Sequence, residues 1–153
     1  MPFKNFSIWR GRLPHWRADD VRYYVTFRHR RDLDAGERQM LLRALLRPDG
    51  RRWDLLALCI LPGQTELIFT VRDQPAGRPY ELSGIVENAK NRVGKQIVKA
   101  TGEHATPFYG ESYDRIIREE AEFEERWQSI VDAPVRCDLV EQAEDWDGIW
   151  IAD

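Results

Sequence analysis

The sequence predicts an α+β fold, in which a four-stranded antiparallel sheet carries helices on one face. Three observations lead to this class. Strand-like and helix-like patterns follow one another in the order β-α-β-β-α-β-α. The two central strand patterns are joined by Pro62-Gly63, which is typical of a hairpin turn. The 153 residues suit one domain, so we expect a single unit over residues 1–153. This order matches the ferredoxin-like, split βαβ plan.

Local patterns justify the elements of the first half. Residues 22–28 (RYYVTFR) alternate aromatic and β-branched types with polar ones, which predicts a strand. Residues 35–46 carry leucines at helical spacing, and Pro48 and Gly50 end that helix. The runs at residues 51–62 and 64–72 are strand-like and flank the turn.

The second half contains two further helical patterns and one further strand. Residues 80–102 place Ile85, Val86, Val93 and other apolar residues on one stripe, which predicts a long helix. Residues 112–118 (SYDRIIR) suggest a short strand, and residues 119–133 a helix that ends at Pro134. We expect residues from about 139 to 153 to form a loosely packed tail.

Composition excludes several classes of protein. No apolar run approaches the roughly 18 residues that a membrane span needs, and the N-terminal stretch lacks the apolar core of a secretory signal. Cys59 and Cys137 share no short metal-binding or redox spacing. We therefore expect a soluble cytoplasmic protein without a membrane partner.

Charge is divided unevenly along the chain. Residues 1–110 contain 19 Lys and Arg against 12 Asp and Glu, a net of +7, whereas residues 111–153 contain 4 against 14, a net of −10. Such asymmetry can mark a basic binding face. The alternative is that the acidic part is only a solvated helix face and a polar tail.

Several motifs resemble one protein family in their order and spacing. They are LPHW (13–16), YYVTFR (23–28), DGRRWDLLALCILP (49–62), ESYDRIIREEAEF (111–123) and APVRCDLV (133–140). Over about residues 13–146 the chain resembles the REP-associated tyrosine transposases, which belong to the single-tyrosine HUH transposases. The ordered set is more specific than any one motif.

The resemblance implies a ferredoxin-like domain that binds single-stranded DNA, often folded as a hairpin. Active members cut this DNA with a tyrosine nucleophile and form a phosphotyrosine bond. Two histidines in a pattern like P-N-H-x-H hold a divalent cation such as Mg²⁺ or Mn²⁺, which polarises the scissile phosphate. An Asn or Gln one helical turn beyond the tyrosine completes the metal shell.

The catalytic groups of the family are replaced in this chain. The strand motif falls on residues 62–66, so the histidine positions hold Gln64 and Glu66. The helix motif falls on residues 129–135, so Ser129 occupies the nucleophile position and Ala133 the third ligand position. We therefore predict no catalytic residues, no metal ligands and no cofactor. Gln64 and Glu66 share one side of a strand and are expected to form a wet polar patch.

A remodelled centre is the alternative to lost cleavage. Gln and Glu supply oxygen ligands that Mg²⁺ accepts, but without the third ligand they make a poor site. Ser129 would need a base, and the sequence shows none nearby. Tyr109 and Tyr113 are weaker substitutes for the nucleophile, since Tyr113 belongs to the strand motif.

DNA binding depends on other residues than cleavage does, because Lys and Arg neutralise phosphates and aromatic rings stack on bases. The candidates combine an N-terminal basic and aromatic segment, a basic cluster after the first strand, and the polar side of the long helix: Arg10, Arg12, Trp16, Arg17, Arg28, Arg30, Arg31, Lys90, Arg92, Lys95 and Lys99. The alternative is that the cations are only solvated and the tryptophan lies in the core.

Three functions remain open from the sequence. The first is an inactive, transposase-derived protein that binds single-stranded or hairpin DNA. The second is the same fold reused for protein interaction, and the third is an active nuclease or transposase with a remodelled metal site. The sequence leaves open whether the protein is a monomer or a homodimer.

Overall fold

A computed structural model describes residues 21–78 and 82–152 of the chain. The elements within these ranges are β1 (Arg22–Arg28), α1 (Ala35–Leu46), β2 (Trp53–Ile60), β3 (Gln64–Val71), α2 (Leu82–Thr101), β4 (Tyr113–Ile117), α3 (Glu120–Arg136) and β5 (Ile149–Ile151). A short 3₁₀ turn at Ala143–Asp145 precedes β5. The predicted helices and strands are present in the predicted order.

The strands form one antiparallel sheet in the order β4-β1-β3-β2-β5. β3 lies between β1 and β2, which is the split βαβ arrangement that the sequence predicts. The predicted β2–β3 hairpin is confirmed, with Ile60 opposite Thr65. The predicted number of four strands is wrong, because β5 adds a fifth strand beside β2.

Helices cover both faces of the sheet, and the prediction of helices on one face only is wrong. α1 and α2 pack on the face that carries Val25 and Phe27. α3 packs on the opposite face, which carries Tyr24 and Ile68. The physical reason lies in β2 and β3, whose residues are buried almost continuously on both sides, so each face needs a cover.

The start of α1 is fixed by a capping box. The Asp34 carboxylate accepts a hydrogen bond from the Glu37 backbone N–H at 2.8 Å, and the Glu37 carboxylate accepts one from the Asp34 N–H at 3.0 Å. Arg31 donates to both Glu37 carboxylate oxygens, at 2.7 and 2.8 Å. This bidentate pair lowers the pKa of Glu37 and ties the end of β1 to the helix.

α3 extends beyond the predicted end, since Pro134 lies inside its last turn and the helix continues to Arg136. Pro134 lacks an N–H, but its carbonyl accepts from the Leu139 N–H and the Ala133 carbonyl accepts from the Cys137 N–H. The turn therefore keeps its closing bonds. The helix ends where Asp138 adopts a positive φ of 57°.

The segment after α3 is packed, and the expected loose tail is wrong. Ala143, Trp146, Ile149 and Ile151 are buried in the α3 side of the core. The Trp146 indole N–H donates to the Ile60 carbonyl at 2.8 Å, and the Ile60 N–H donates to the Gly148 carbonyl at 2.7 Å. Four apolar side chains hidden among acidic residues decide the packing, and average polarity does not reveal them.

Gly148 is required by this close approach. A Cβ at this position would collide with the Ile60 carbonyl oxygen. In the part of the chain that the structure describes, no helix has the length and apolar character needed to cross a membrane.

Candidate nucleic-acid interface

The site predicted from the sequence lies on the sheet face that α3 covers. Alternate residues of β1 and β3 point to this face. Thr26 lies directly opposite Glu66, and Arg28 lies directly opposite Gln64. On the other side of β1, Tyr113 of β4 lies opposite Thr26. A row of polar and aromatic side chains therefore crosses three strands on one face.

Glu66 is the buried centre of this face, with 7% of its surface exposed. The Tyr24 hydroxyl donates to Glu66 Oε1 at 3.2 Å, and the Gln64 amide donates to the same oxygen at 3.3 Å. Glu66 Oε2 is buried and has no hydrogen-bond partner among the described residues. The expectation of a wet polar patch is wrong for Glu66, while Gln64 is half-buried.

Burial raises the pKa of the Glu66 carboxyl, because the ionised form loses water. The hydrogen bond from Tyr24 and the positive charges of Arg136 and Arg126 oppose this rise. Burial also raises the pKa of Tyr24 to about 12, and the nearby Glu66 carboxylate adds to that rise. The Tyr24 hydroxyl is therefore protonated at neutral pH and remains a donor.

α3 supplies two arginines to this region. The Arg126 guanidinium lies 4.3 Å from the centre of the Tyr24 ring. Arg136 Nη1 donates to the Ser129 carbonyl at 3.2 Å and to the Ser129 hydroxyl at 3.4 Å. Arg22 donates to Glu120 at 2.9 Å and so anchors the start of the helix on β1.

The four positions that align with the family's catalytic groups differ in their burial. Gln64 and Glu66 are hydrogen-bonded to each other, and Ala133 is fully buried in the core between α3 and the sheet. Ser129, however, is exposed, and its described contact is with Arg136. The structure thus brings the helix motif onto the strand motif but leaves the serine at the surface.

Sequence reasoning missed Tyr24, Arg126 and Arg136. A signal was present, because residues 126, 129, 133 and 136 recur at intervals of three and four and share one side of a helix. Arg126 and Arg136 therefore belong to the same stripe as the two family positions.

The residues present do not fit a divalent cation. Residues 21–78 and 82–152 contain no group of three or more His, Cys, Asp or Glu side chains placed to hold a metal. Glu66 supplies a single carboxylate at the position of a family histidine, and the positive charges of Arg136 and Arg126 act on it. These guanidinium groups would repel a cation. In addition, Mg²⁺ and Ca²⁺ need several oxygen ligands.

His29 is not available as a ligand. Its Nδ1 lies 2.7 Å from the Pro62 carbonyl, which only accepts, so Nδ1 carries the proton. Nε2 lies 2.9 Å from the Thr65 hydroxyl and accepts from it in the neutral ring. Burial lowers the pKa of His29 and favours this neutral form. The ring fastens the end of β1 to the hairpin turn.

The predicted DNA-binding residues divide into several groups. Arg10, Arg12, Trp16 and Arg17 lie outside the described residues. Arg28 and Arg30 are exposed, and the Arg30 guanidinium lies 4.6 Å from the centre of the Tyr109 ring. Arg92, Lys95 and Lys99 are exposed on α2.

Two of the predicted cations are engaged within the protein. Lys90 is only 3% exposed, so its prediction as a phosphate ligand is wrong. Its ammonium donates to Glu87 at 3.1 Å, to the Glu111 carbonyl at 3.3 Å and to the Ser112 hydroxyl at 3.2 Å. Lys90 thereby joins α2 to the segment before β4.

Arg31 is the second of these cations. Besides its bidentate pair with Glu37, it donates to Glu103 at 2.6 Å. Two carboxylates therefore balance its charge, which leaves it poorly suited to a phosphate.

Tyr113 is a further residue of this face that sequence reasoning did not assign to binding. Its side chain is 54% exposed, and an exposed tyrosine on a sheet can stack on a nucleic-acid base. Arg115, two residues along β4, points to the same side and pairs with Glu122 of α3. The exposed end of the face therefore combines Arg28, Thr26, Gln64 and Tyr113.

Comparisons with known proteins give a structural relationship only. No protein-family model matches the chain, and no curated protein sequence matches it significantly. Among solved structures, a REP-associated tyrosine transposase bound to a REP hairpin is similar, with a TM-score of 0.64 and 19% identity over 90% of this chain and 80% of that one. A candidate transposase from Deinococcus radiodurans R1 has a TM-score of 0.49 and 14% identity, over 78% of this chain and 95% of that one. The chain thus has the fold of the REP-associated tyrosine transposases, which its motifs resemble.

Proposed function

We propose that this chain is a transposase-related protein that binds single-stranded or hairpin DNA and has lost strand cleavage. The observation that carries the proposal is the centre of the α3-covered face. Where the family places a metal and its ligands, this chain has a buried Glu66 that is bonded to Tyr24 and subject to the positive charges of Arg126 and Arg136.

Cleavage fails on this arrangement for two reasons. The described residues offer no ligand set for the divalent cation that polarises the scissile phosphate in the family. Among the described residues, the Ser129 hydroxyl contacts the Arg136 guanidinium, which stays protonated and accepts no proton, so this contact supplies no base. An unactivated serine hydroxyl is a weak nucleophile.

DNA binding is independent of those lost groups. Arg28 and the Arg30–Tyr109 pair offer exposed cations near the end of β1, and Tyr113 offers an exposed ring on the same sheet. Cations hold phosphates and rings stack on bases, which is how sequence-tolerant single-strand binders work. The similar transposase is bound to a REP hairpin, and this supports DNA of that kind as the ligand.

The binding test is a salt titration with fluorescent hairpin and single-stranded oligonucleotides. We expect binding at about 50 mM salt that weakens steeply as salt rises, because counterion release drives phosphate contacts. Tyr113→Ala should weaken binding by roughly 5- to 150-fold, which corresponds to about 1–3 kcal/mol for one stacked base.

Ile116→Ala is the matched control. Ile116 is 40% exposed on the same strand but points to the opposite face of the sheet, so its loss should leave affinity unchanged. Absence of binding at about 50 mM salt would refute the proposal and favour a protein-interaction role. Equal losses for the two variants would refute the assignment of the interface.

The cleavage test incubates the protein with the same DNA and Mg²⁺ or Mn²⁺. We expect neither a nicked product nor DNA linked to the protein. If such a product forms and Glu66→Ala abolishes it, the centre is active and the loss of cleavage is disproved.

A further inference from the structure

A second basic surface lies on the opposite side of the sheet from Glu66. A groove of about 670 Å³ runs between the end of α1, the turn before β2 and the exposed side of α2. Its lining includes the cations Arg47, Arg51, Arg52, Arg92 and Lys95. Since α1 and α2 pack on one face and α3 on the other, the sheet separates this groove from the site described above.

Four of these five cations have no carboxylate partner in the described parts of the chain. Among the described residues that line the groove there is no carboxylate. Arg47, Arg51, Arg92 and Lys95 are exposed, and none of them pairs with a carboxylate in the described parts of the chain. By contrast, the exposed Arg72 is paired with Asp54 at 2.7 Å. Concentrated positive charge without a counter-ion is the electrostatic feature of a nucleic-acid surface.

The groove also has the length and chemistry that a sugar–phosphate backbone requires. Its α2 side runs from Ile85 to Gln96, which corresponds to about 16 Å at 1.5 Å per helical residue. At 3.4 Å per nucleotide along a strand of duplex, this length covers roughly four or five phosphates. Ile85 and Ala89 give an apolar floor, while Asn88 and Asn91 offer amide groups at its edge.

We propose that this groove is a second nucleic-acid site, which binds the sugar–phosphate backbone without reading sequence. The inference rests on the proposed function for its ligand and goes beyond it in placing a contact surface behind the sheet. Arginine forks and lysine ammonium groups hold successive phosphates there, while the face around Tyr113 contacts bases.

The test is the salt dependence of binding for the full chain carrying Arg92→Gln and Lys95→Gln together. Losing two phosphate contacts should lower the slope of log affinity against log salt by about 1.8 for a hairpin stem and about 1.4 for a single strand. Affinity at about 50 mM salt should fall on the order of tenfold or more, equally for unrelated sequences.

Arg92→Gln alone is compared with Arg72→Gln, which removes the same charge from an arginine already paired with Asp54. The first should lower the slope by about 0.9 on duplex DNA, and the second should leave it unchanged. A thermal scan confirms that the variants fold, which we expect because these side chains are exposed.

The outcomes separate the two proposals. If the parent protein binds DNA and Tyr113→Ala weakens binding, but the Arg92 and Lys95 variants keep the parent slope, the groove proposal alone is overturned. If the parent protein does not bind DNA at about 50 mM salt, both proposals fail.

Discussion

Replacing Lys90 by methionine tests whether this cation stabilises the fold or binds DNA. The substitution keeps most of the apolar stem of a residue that is 3% exposed, but removes the ammonium, which donates three hydrogen bonds. The ammonium also lies 5.0 Å from the centre of the Phe27 ring. We expect the variant to be less stable and to bind DNA normally once folded.

The magnitude follows from what the acceptors lose. A hydrogen bond to a charged group contributes about 1.5–3 kcal/mol, and such values do not add fully. Glu111 and Ser112 are exposed and the Glu87 side chain is 36% exposed, so water replaces much of the lost bonding. We therefore expect a loss of about 2 kcal/mol in the free energy of unfolding, which lowers Tm by roughly 4–8 °C.

The assay is urea unfolding followed by tryptophan fluorescence, paired with DNA binding below the transition. Lys95→Met is the control, because Lys95 is an exposed cation on the same helix. It should change stability by less than about 0.5 kcal/mol and weaken DNA binding. The reasoning is refuted if Lys90→Met unfolds at the parent urea concentration, or if the folded variant binds DNA more weakly than the parent protein does.

Two further predictions concern stability. Gly148→Ala should lower the free energy of unfolding by about 1–3 kcal/mol, because the added Cβ collides with the Ile60 carbonyl. Gly84→Ala is the control, because a Cβ there meets nothing within 4 Å and stability should not fall. Equal unfolding curves for the two variants would contradict the packing of β5. Burial lowers the pKa of His29. Below about pH 6.5 the unfolded chain therefore binds a proton that the folded chain does not bind. The free energy of unfolding then falls by at most about 1.4 kcal/mol for each unit by which the pH is lowered. His29→Gln should flatten the stability curve between about pH 7 and pH 5. An unchanged slope would count against a buried neutral ring.

The local elements were predictable because their signals are local. The leucine spacing of α1, the alternation of β1 and the Pro62-Gly63 turn each depend on neighbouring residues. Whether a helix covers a given face of the sheet depends on residues that are distant in the sequence. β2 and β3 contain near-continuous apolar runs, which are typical of strands buried on both sides, and this pattern was available before the structure.

Other features were out of reach of pattern reasoning. Lys90 is spaced like its solvated neighbours on α2, and only the segment at Glu111 and Ser112 makes it a buried donor. β5 has three residues, too few for a periodicity, and its pairing with β2 decides its existence. Glu66 looked wet because a carboxylate is seldom buried, and its burial follows from α3 lying over the strand.

The position of β5 has a consequence for the order in which the chain is made. The ribosome delivers β2 long before residues 149–151, so a nascent chain that has already assembled the other four strands still presents an open edge at residues 57–59. Ala57, Leu58 and Cys59 at that edge are fully covered in the finished fold. A polypeptide broken off before Ile149 would keep this apolar edge uncovered and would be prone to aggregate by pairing it with another copy.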